Sequence, residues 1–213
     1  MAADPRRLMP EDPIAAQYSA IARKDLDAAR RAVASDWVNR EADSEAPAAR
    51  QGGPTGLAVT GAWLRFAFSE ISFEELDRVT EGNLVISRVM FSARQTGPLV
   101  LFEDGHPAVV FPPTGRRFRV EQIHRHELRD GLVVDHLARR DDLGMLQQLG
   151  HLPPSPRSML RLLFWRLSGR ARRASEMAVA IGEEAAAEMA AFLVNRPQKE
   201  LLGGTRPTRS NVG

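Results

Sequence analysis

The 213-residue chain contains no cysteine. Disulfides, thiolate catalysis and cysteine-ligated zinc are therefore excluded. Lysine is almost missing too: Lys24 and Lys199 stand beside 27 arginines, a bias that genomic base composition can produce without functional demand. No stretch approaches the ~18 to 20 uninterrupted apolar residues of a membrane span. The opening MAADPRRLMPEDP has no apolar core of the signal-peptide kind, so a cytoplasmic protein is expected. A strongly basic body is lacking as well. Residues 1–155 carry 19 basic and 22 acidic side chains, and residues 156–213 carry 10 and 5. A slightly acidic body with a basic tail gives no reason to expect a nucleic-acid partner.

The chain does have 43% hydrophobic residues, enough for a core in one domain with or without an appendage. Its most informative stretch runs from Pro112 to Gly150. Phe118, Val120, Gln122, His124, His126 and Leu128 alternate with Arg119, Glu121, Ile123, Arg125 and Glu127, which makes a strand with one sheltered and one wet face. After Asp130-Gly131, Leu132, Val134, His136 and Ala138 alternate in the same way with Val133, Asp135, Leu137 and Arg139. Asp-Gly between two such runs predicts a hairpin.

The turn decides which faces meet, because a one-residue slip moves every side chain to the other side of the sheet. A two-residue loop sets His124 opposite Leu137 and on one face with Asp135. A three-residue loop with Gly131 in a bulge sets His124 opposite His136, gathering His124, His126, His136 and Ala138 beside Phe118, Val120 and Leu128.

This segment resembles the SnoaL-like polyketide cyclases. The residues that carry the resemblance are Pro112-Pro113-Thr114, Arg116-Arg117-Phe118, Glu121-Gln122, His124, Asp130-Gly131, Asp135-His136, Asp141 and Gln148-Leu149-Gly150. More loosely the likeness extends from about Ile14 to Gly150. It implies a small cofactor-free enzyme that closes a ring by intramolecular aldol condensation, and an α+β fold in which a curved antiparallel sheet wraps over N-terminal helices to form a cone-shaped pocket. It also implies a catalytic histidine at His124 and an acid/base aspartate at the position of Ala138, which cannot serve as one.

The catalytic candidates are accordingly His124, His136 as the group nearest to replace the carboxylate, and Asp135 if the two-residue register holds. Gln122, His126, Trp63 and Phe118 are the substrate-binding candidates. Each has a plain alternative: Trp63 and its neighbour Phe66 as core, and His124 as a core histidine satisfied by Gln122 or a backbone carbonyl. Three imidazoles on one wall also suit zinc or iron, but paired histidines arise by chance and the family works without metal, so no metal and no cofactor is expected. Asp141 is read as starting a terminal turn, and His106 as an exposed loop residue.

Along the chain, residues 1–13 are expected to form a flexible arm. Ile14, Tyr18 and Ile21 predict one helix, and Leu26, Ala29, Val33 and Trp37 a second with Asp25 as its N-cap. Residues 39–54 read as a surface loop near the pocket mouth, 55–68 as a third helix, and 73–80 and 84–94 as paired strands. Residues 96–107 read as a loop or broken strand. The cone domain is set at 14–152, with a helical extension at 153–195 and a disordered tail at 196–213. The extension is expected to fold back or to form a homodimer. Attachment to an anionic membrane surface is disfavoured because the apolar positions of 159–167 spread around the helix.

Two functions follow. One is an enzyme acting on a polyketide or similar hydrophobic carbonyl compound by proton transfer, as a cyclase or isomerase. The other is a non-catalytic ligand-binding or dimerisation module that keeps the pocket, and Ala138 divides the two.

Overall fold

The computed structural model describes residues 12–196; the expected arm and tail fall, but for their inner ends, outside them. Helix α1 (Pro13–Arg23) and helix α2 (Leu26–Ala32) start where the sequence predicts, with Asp12 and Asp25 accepting from the amides of Ile14 and Ala28. The second prediction runs too far. Helix α2 ends at Ala32 and strand β1 (Val33–Asn39) takes over, because Val33, Trp37 and Asn39 turn inward beside strand β7 (Leu132–Arg140). Residues 40–52 are not a solvated loop: two short 3-10 turns bury Ala42, Ala46 and Ala49. Helix α3 (Gly53–Ala67) follows and lies across the sheet.

Strands β2 (Phe68–Glu81), β3 (Leu84–Gln95), β6 (Arg117–Arg129) and β7 form an antiparallel run, and β1 adds to β7 in parallel, giving the order β1-β7-β6-β3-β2. The broken region at 96–107 is a separate hairpin of β4 (Leu99–Glu103) and β5 (His106–Phe111), with His106 exposed. Inner-face Phe68, Phe91 and Phe118 make edge-to-face contacts with ring centroids 5.1–6.4 Å apart. The outer face carries Arg88 paired with Asp77 and Glu121, and Arg119 paired with Glu74. This is an α+β fold with a curved, open sheet.

Neither expected hairpin register is found. Asp130 (φ 53°) and Gly131 (φ 77°) make the two-residue turn of the type that needs two positive φ values, pairing Arg129 with Leu132 and Leu128 with Val133. The register then shifts by one, so that Glu127 pairs with Asp135, His126 with His136 and His124 with Ala138. Val134 is the extra residue of a bulge. The turn alone would have turned His136 and Ala138 outward and Asp135 inward; the bulge reverses this.

Past helix α4 (Asp142–Leu149), where Asp141 caps the first turn through Gly144 N–H, come α5 (Pro156–Leu167) and the long α6 (Arg170–Asn195). Helix α6 folds back along α3. It buries mostly small side chains, Ala174, Ala178, Gly182, Ala185 and Ala186, so that the backbones approach closely, and a Cβ built on Gly182 would stand 3.0 Å from that of Ala46. Met189 is fully buried among Ile14, Ala28 and Leu57. Met189→Ala is expected to cost about 2–4 kcal/mol in urea unfolding. A loss under about 0.5 kcal/mol, the level of an ordinary surface change, would show that α6 is not part of the cooperative unit.

Candidate active site

A cavity opens between the inner face of the sheet and helices α1 and α3. Tyr18, Trp37, Asn39, Glu41, Glu45, Thr60, Trp63, Gln122, His124, His136, Ala138 and Arg140 line it, with Leu57, Phe73 and Phe91 among its apolar walls. Its volume is about 70 Å³. That is small against the ~300–1,000 Å³ of pockets that hold drug-sized ligands.

A hydrogen-bonded chain crosses the wall. Asn39 faces His136 because β1 pairs them across the parallel ladder. Asn39 Oδ1 accepts from the backbone of Glu41 (3.2 Å) and its Nδ2 donates to Glu45 Oε1 (3.1 Å), which fixes the amide. His136 Nδ1 must then carry the proton donated to Asn39 Oδ1 (3.2 Å). That leaves His136 Nε2 to accept from His124 Nδ1 (3.0 Å). His124 Nε2 lies 2.9 Å from Gln122 Oε1, and the neutral chain closes when the Gln122 amide turns its N–H to that nitrogen.

Burial holds these imidazoles neutral. His124 is pushed down to about 4, chiefly by desolvation with a contribution from Arg140, and His126 to about 3 by desolvation and its histidine neighbour. His136 falls well below the ordinary histidine value for the same reason. His126 is fully buried behind the cavity wall, edge-on to Tyr18, and neither of its ring nitrogens has a hydrogen-bond partner among the described residues. The three histidines bring ligand nitrogens within 4.8 Å of one another. A metal would have to break the His124–His136 hydrogen bond to draw them together.

Two carboxylates complete the wall. Glu45 is buried and both its oxygens are occupied, Oε2 by the hydroxyl of Thr60 and Oε1 by Asn39. Glu41 uses only one: Oε1 accepts from the backbone N–H of Ala138 (3.0 Å), while Oε2, also buried, has no hydrogen-bond partner among the described residues and stands 3.6 Å from His136 Nδ1. Desolvation raises both carboxyls above the usual glutamate value.

The sequence of the SnoaL-like polyketide cyclase family matches residues 14–149. The chain belongs to this family. Relatives of this SnoaL-like chain include the aklanonic acid methyl ester cyclase DnrD of Streptomyces peucetius, 39% identical over 105 residues that cover 49% of this chain and 66% of the relative. The nogalonic acid methyl ester cyclase of Streptomyces nogalater is 36% identical over 99 residues, 46% of this chain and 67% of the relative. The match thus spans about two thirds of these relatives' length, and slightly less for DnrD. Among solved structures, TsrD from Streptomyces laurentii superposes with a TM-score of 0.53 at 26% identity, covering 66% of this chain and 93% of that one. IdmH from Streptomyces antibioticus gives 0.51 at 27%, covering 67% and 99%.

The structure brings His124, His136, Gln122 and Trp63 to the cavity, Trp63 with its indole N–H bonded to Val100 O at 2.8 Å. Three other candidates are not there. Asp135 projects from the outer face, held by Arg40 (2.8 Å) and Arg125 (3.0 Å), because the Val134 bulge turned it outward. Phe118 is sealed in the aromatic core, and His126 lies behind the wall. Asn39 and Glu41 are not among the sequence candidates because both fall in the segment 39–54 expected to be a surface loop; the alternation Trp37, Asn39, Glu41 is the signal that marks them.

An acid limb in stability follows from the buried imidazoles. Their folded pKa values lie below the unfolded value near 6.5, so the stability they permit is intact above that pH. As pH falls from about 6.5 to 4 the unfolded chain takes up protons that the folded chain refuses, and stability drops by about 1.4 kcal/mol per pH unit for each imidazole. The raised carboxyls act in the opposite sense, so the comparison is best made with His126→Leu. This variant is expected to be no less stable at neutral pH, since it removes two unpaired nitrogens, and to gain on the wild type steadily as pH falls. Parallel stability curves would refute the assignment of His126 as a buried neutral group.

Proposed function

We propose that the protein closes a ring in a polyketide methyl ester, as the names of its relatives indicate for them, by acid/base proton transfer at a carbon beside a carbonyl. The observation that carries this reading is the placement of Glu41. The family resemblance assigns the acid/base carboxylate to the position of Ala138, and Glu41, two residues past the end of β1, rests one oxygen on the Ala138 amide and keeps the other free toward His136 and the cavity.

Basicity decides between the candidate bases. An imidazole pushed down to about 4 is a weak base at neutral pH, whereas a carboxylate raised by burial lies nearer the working range and needs no further activation. Glu41 Oε2 takes the proton from the activated carbon, and the electron pair moves onto the neighbouring carbonyl oxygen as an enolate. The guanidinium of Arg140, at the same wall, steadies that charge. The enolate carbon attacks a second carbonyl of the same molecule, one carbon–carbon bond forms, and the resulting alkoxide recovers the proton from Glu41. His124 and His136 fix the orientation of the wall through the chain from Gln122 to Asn39. No cofactor enters this sequence of steps.

A polyketide substrate exceeds the 70 Å³ cavity, so the rim formed by α1 and residues 41–45 must part to admit it. The same narrowness favours the second reading, a module that binds a small ligand without turning it over. Turnover of aklanonic or nogalonic acid methyl ester separates the two. Glu41→Gln, which keeps the bond to Ala138, is expected to lower kcat by about 10²–10⁴-fold with little change in KM, the range of general acid–base catalysis. Asp135→Asn is expected to stay near the wild type. The wild-type rate is expected to fall as pH drops through the raised Glu41 value, because the ionised carboxylate is the active form. Binding without turnover in the wild type would establish the module; unchanged kcat in Glu41→Gln would remove Glu41 from the chemistry.

A further inference from the structure

Helix α5 has two apolar faces. Leu162 and Trp165 are half-buried toward the body, with Trp165 packed against the core. On the opposite side Met159, Leu160, Leu163, Phe164 and Leu167 are all exposed, Leu160 at 66% and Leu167 at 78%. At about 100° per residue these five form one unbroken arc of roughly 140°. Arg157 and Arg161 border the arc on one side and Arg166 on the other. The faces are thus segregated after all. Read from sequence the two apolar sides merge into a full circumference, and only the docking of Leu162 and Trp165 separates them.

The charge along this stretch of the chain has one sign. No acidic residue occurs between Asp142 and Glu176, while Arg157, Arg161, Arg166, Arg170, Arg172 and Arg173 all fall in that interval. Arg170 lies over the ring of Phe164, 5.0 Å from its centroid, at the edge of the arc. A second copy of this chain placed face to face through α5 would set these arginines against their own equivalents, with no carboxylate on the helix to pair them. Such a two-fold contact is electrostatically disfavoured. Apolar side chains flanked only by arginine fit a surface that is apolar beneath an anionic layer.

We propose that α5 is an interfacial helix that seats Met159, Leu160, Leu163, Phe164 and Leu167 in an anionic bilayer surface, with the flanking arginines on the lipid phosphates. The arc is short, so the attachment is reversible and depends on salt. It involves no residue of the cavity and stands whether or not the chain is a cyclase.

The test is co-sedimentation of the full chain with phosphatidylcholine vesicles, with and without phosphatidylglycerol, at low and high salt. Binding is expected to the phosphatidylglycerol vesicles alone and to weaken at high salt. Arg161→Gln is expected to lower the partition coefficient about fivefold, and Leu163→Glu/Phe164→Glu to abolish binding while leaving the circular dichroism spectrum and Tm unchanged, since both side chains are exposed. Three results overturn the proposal: no binding to the anionic vesicles, equal binding by the double glutamate variant, or a dimer in sedimentation velocity that the double variant dissolves.

Discussion

The hydrogen bond from the Ala138 amide to Glu41 is the contact on which the candidate site depends. It joins the turn that follows β1 to the last third of β7, and it holds a carboxylate in a wall that also carries neutral imidazoles and apolar rings. Burying a carboxylate is costly unless its oxygens are satisfied. Glu45 meets that condition through Thr60 and Asn39. Glu41 meets it by half, and a half-satisfied buried carboxylate is the kind of local imperfection found where a group has to react.

Two local irregularities make this contact possible. The first is the parallel pairing of β1 with β7, which brings Asn39 level with His136 and sets Glu41 beyond it. The second is the Val134 bulge, without which the tight Asp130-Gly131 turn would direct His136 and Ala138 to solvent and Asp135 inward. The bulge explains how three histidines share one face although the turn has only two residues. It also explains why Asp135 is a structural residue, bridging Arg40 and Arg125 on the outside of the sheet.

Much of the fold was legible in the sequence because it rests on short-range rules. Alternation gave strands β6 and β7, helical spacing gave α1, α3 and α6, and Asp25 and Asp141 marked helix starts as caps do. What was not legible rests on long-range pairing. The segment Val33–Trp37 has a spacing that suits a helix, and only its pairing with β7 makes it a strand. The 3-10 turns after it are built from alanines that carry no periodic signal yet are buried, the first beside β4 and the second beside α6. His124 and Gln122 were found because they lie on a single alternating strand. Glu41 was not, because its role depends on a partner, Ala138, nearly a hundred positions away.

The central claim is that Glu41, carried on the turn just past β1, does the work that Ala138 cannot. Moving the carboxylate tests it most directly: Glu41→Gln/Ala138→Asp compared with Glu41→Gln alone, in single-turnover ring closure. The double variant is predicted to recover a substantial part of the activity lost in the single one, since an aspartate at 138 would stand on the same wall opposite His124. Equal inactivity of the two, with both folded and both binding substrate, would contradict it.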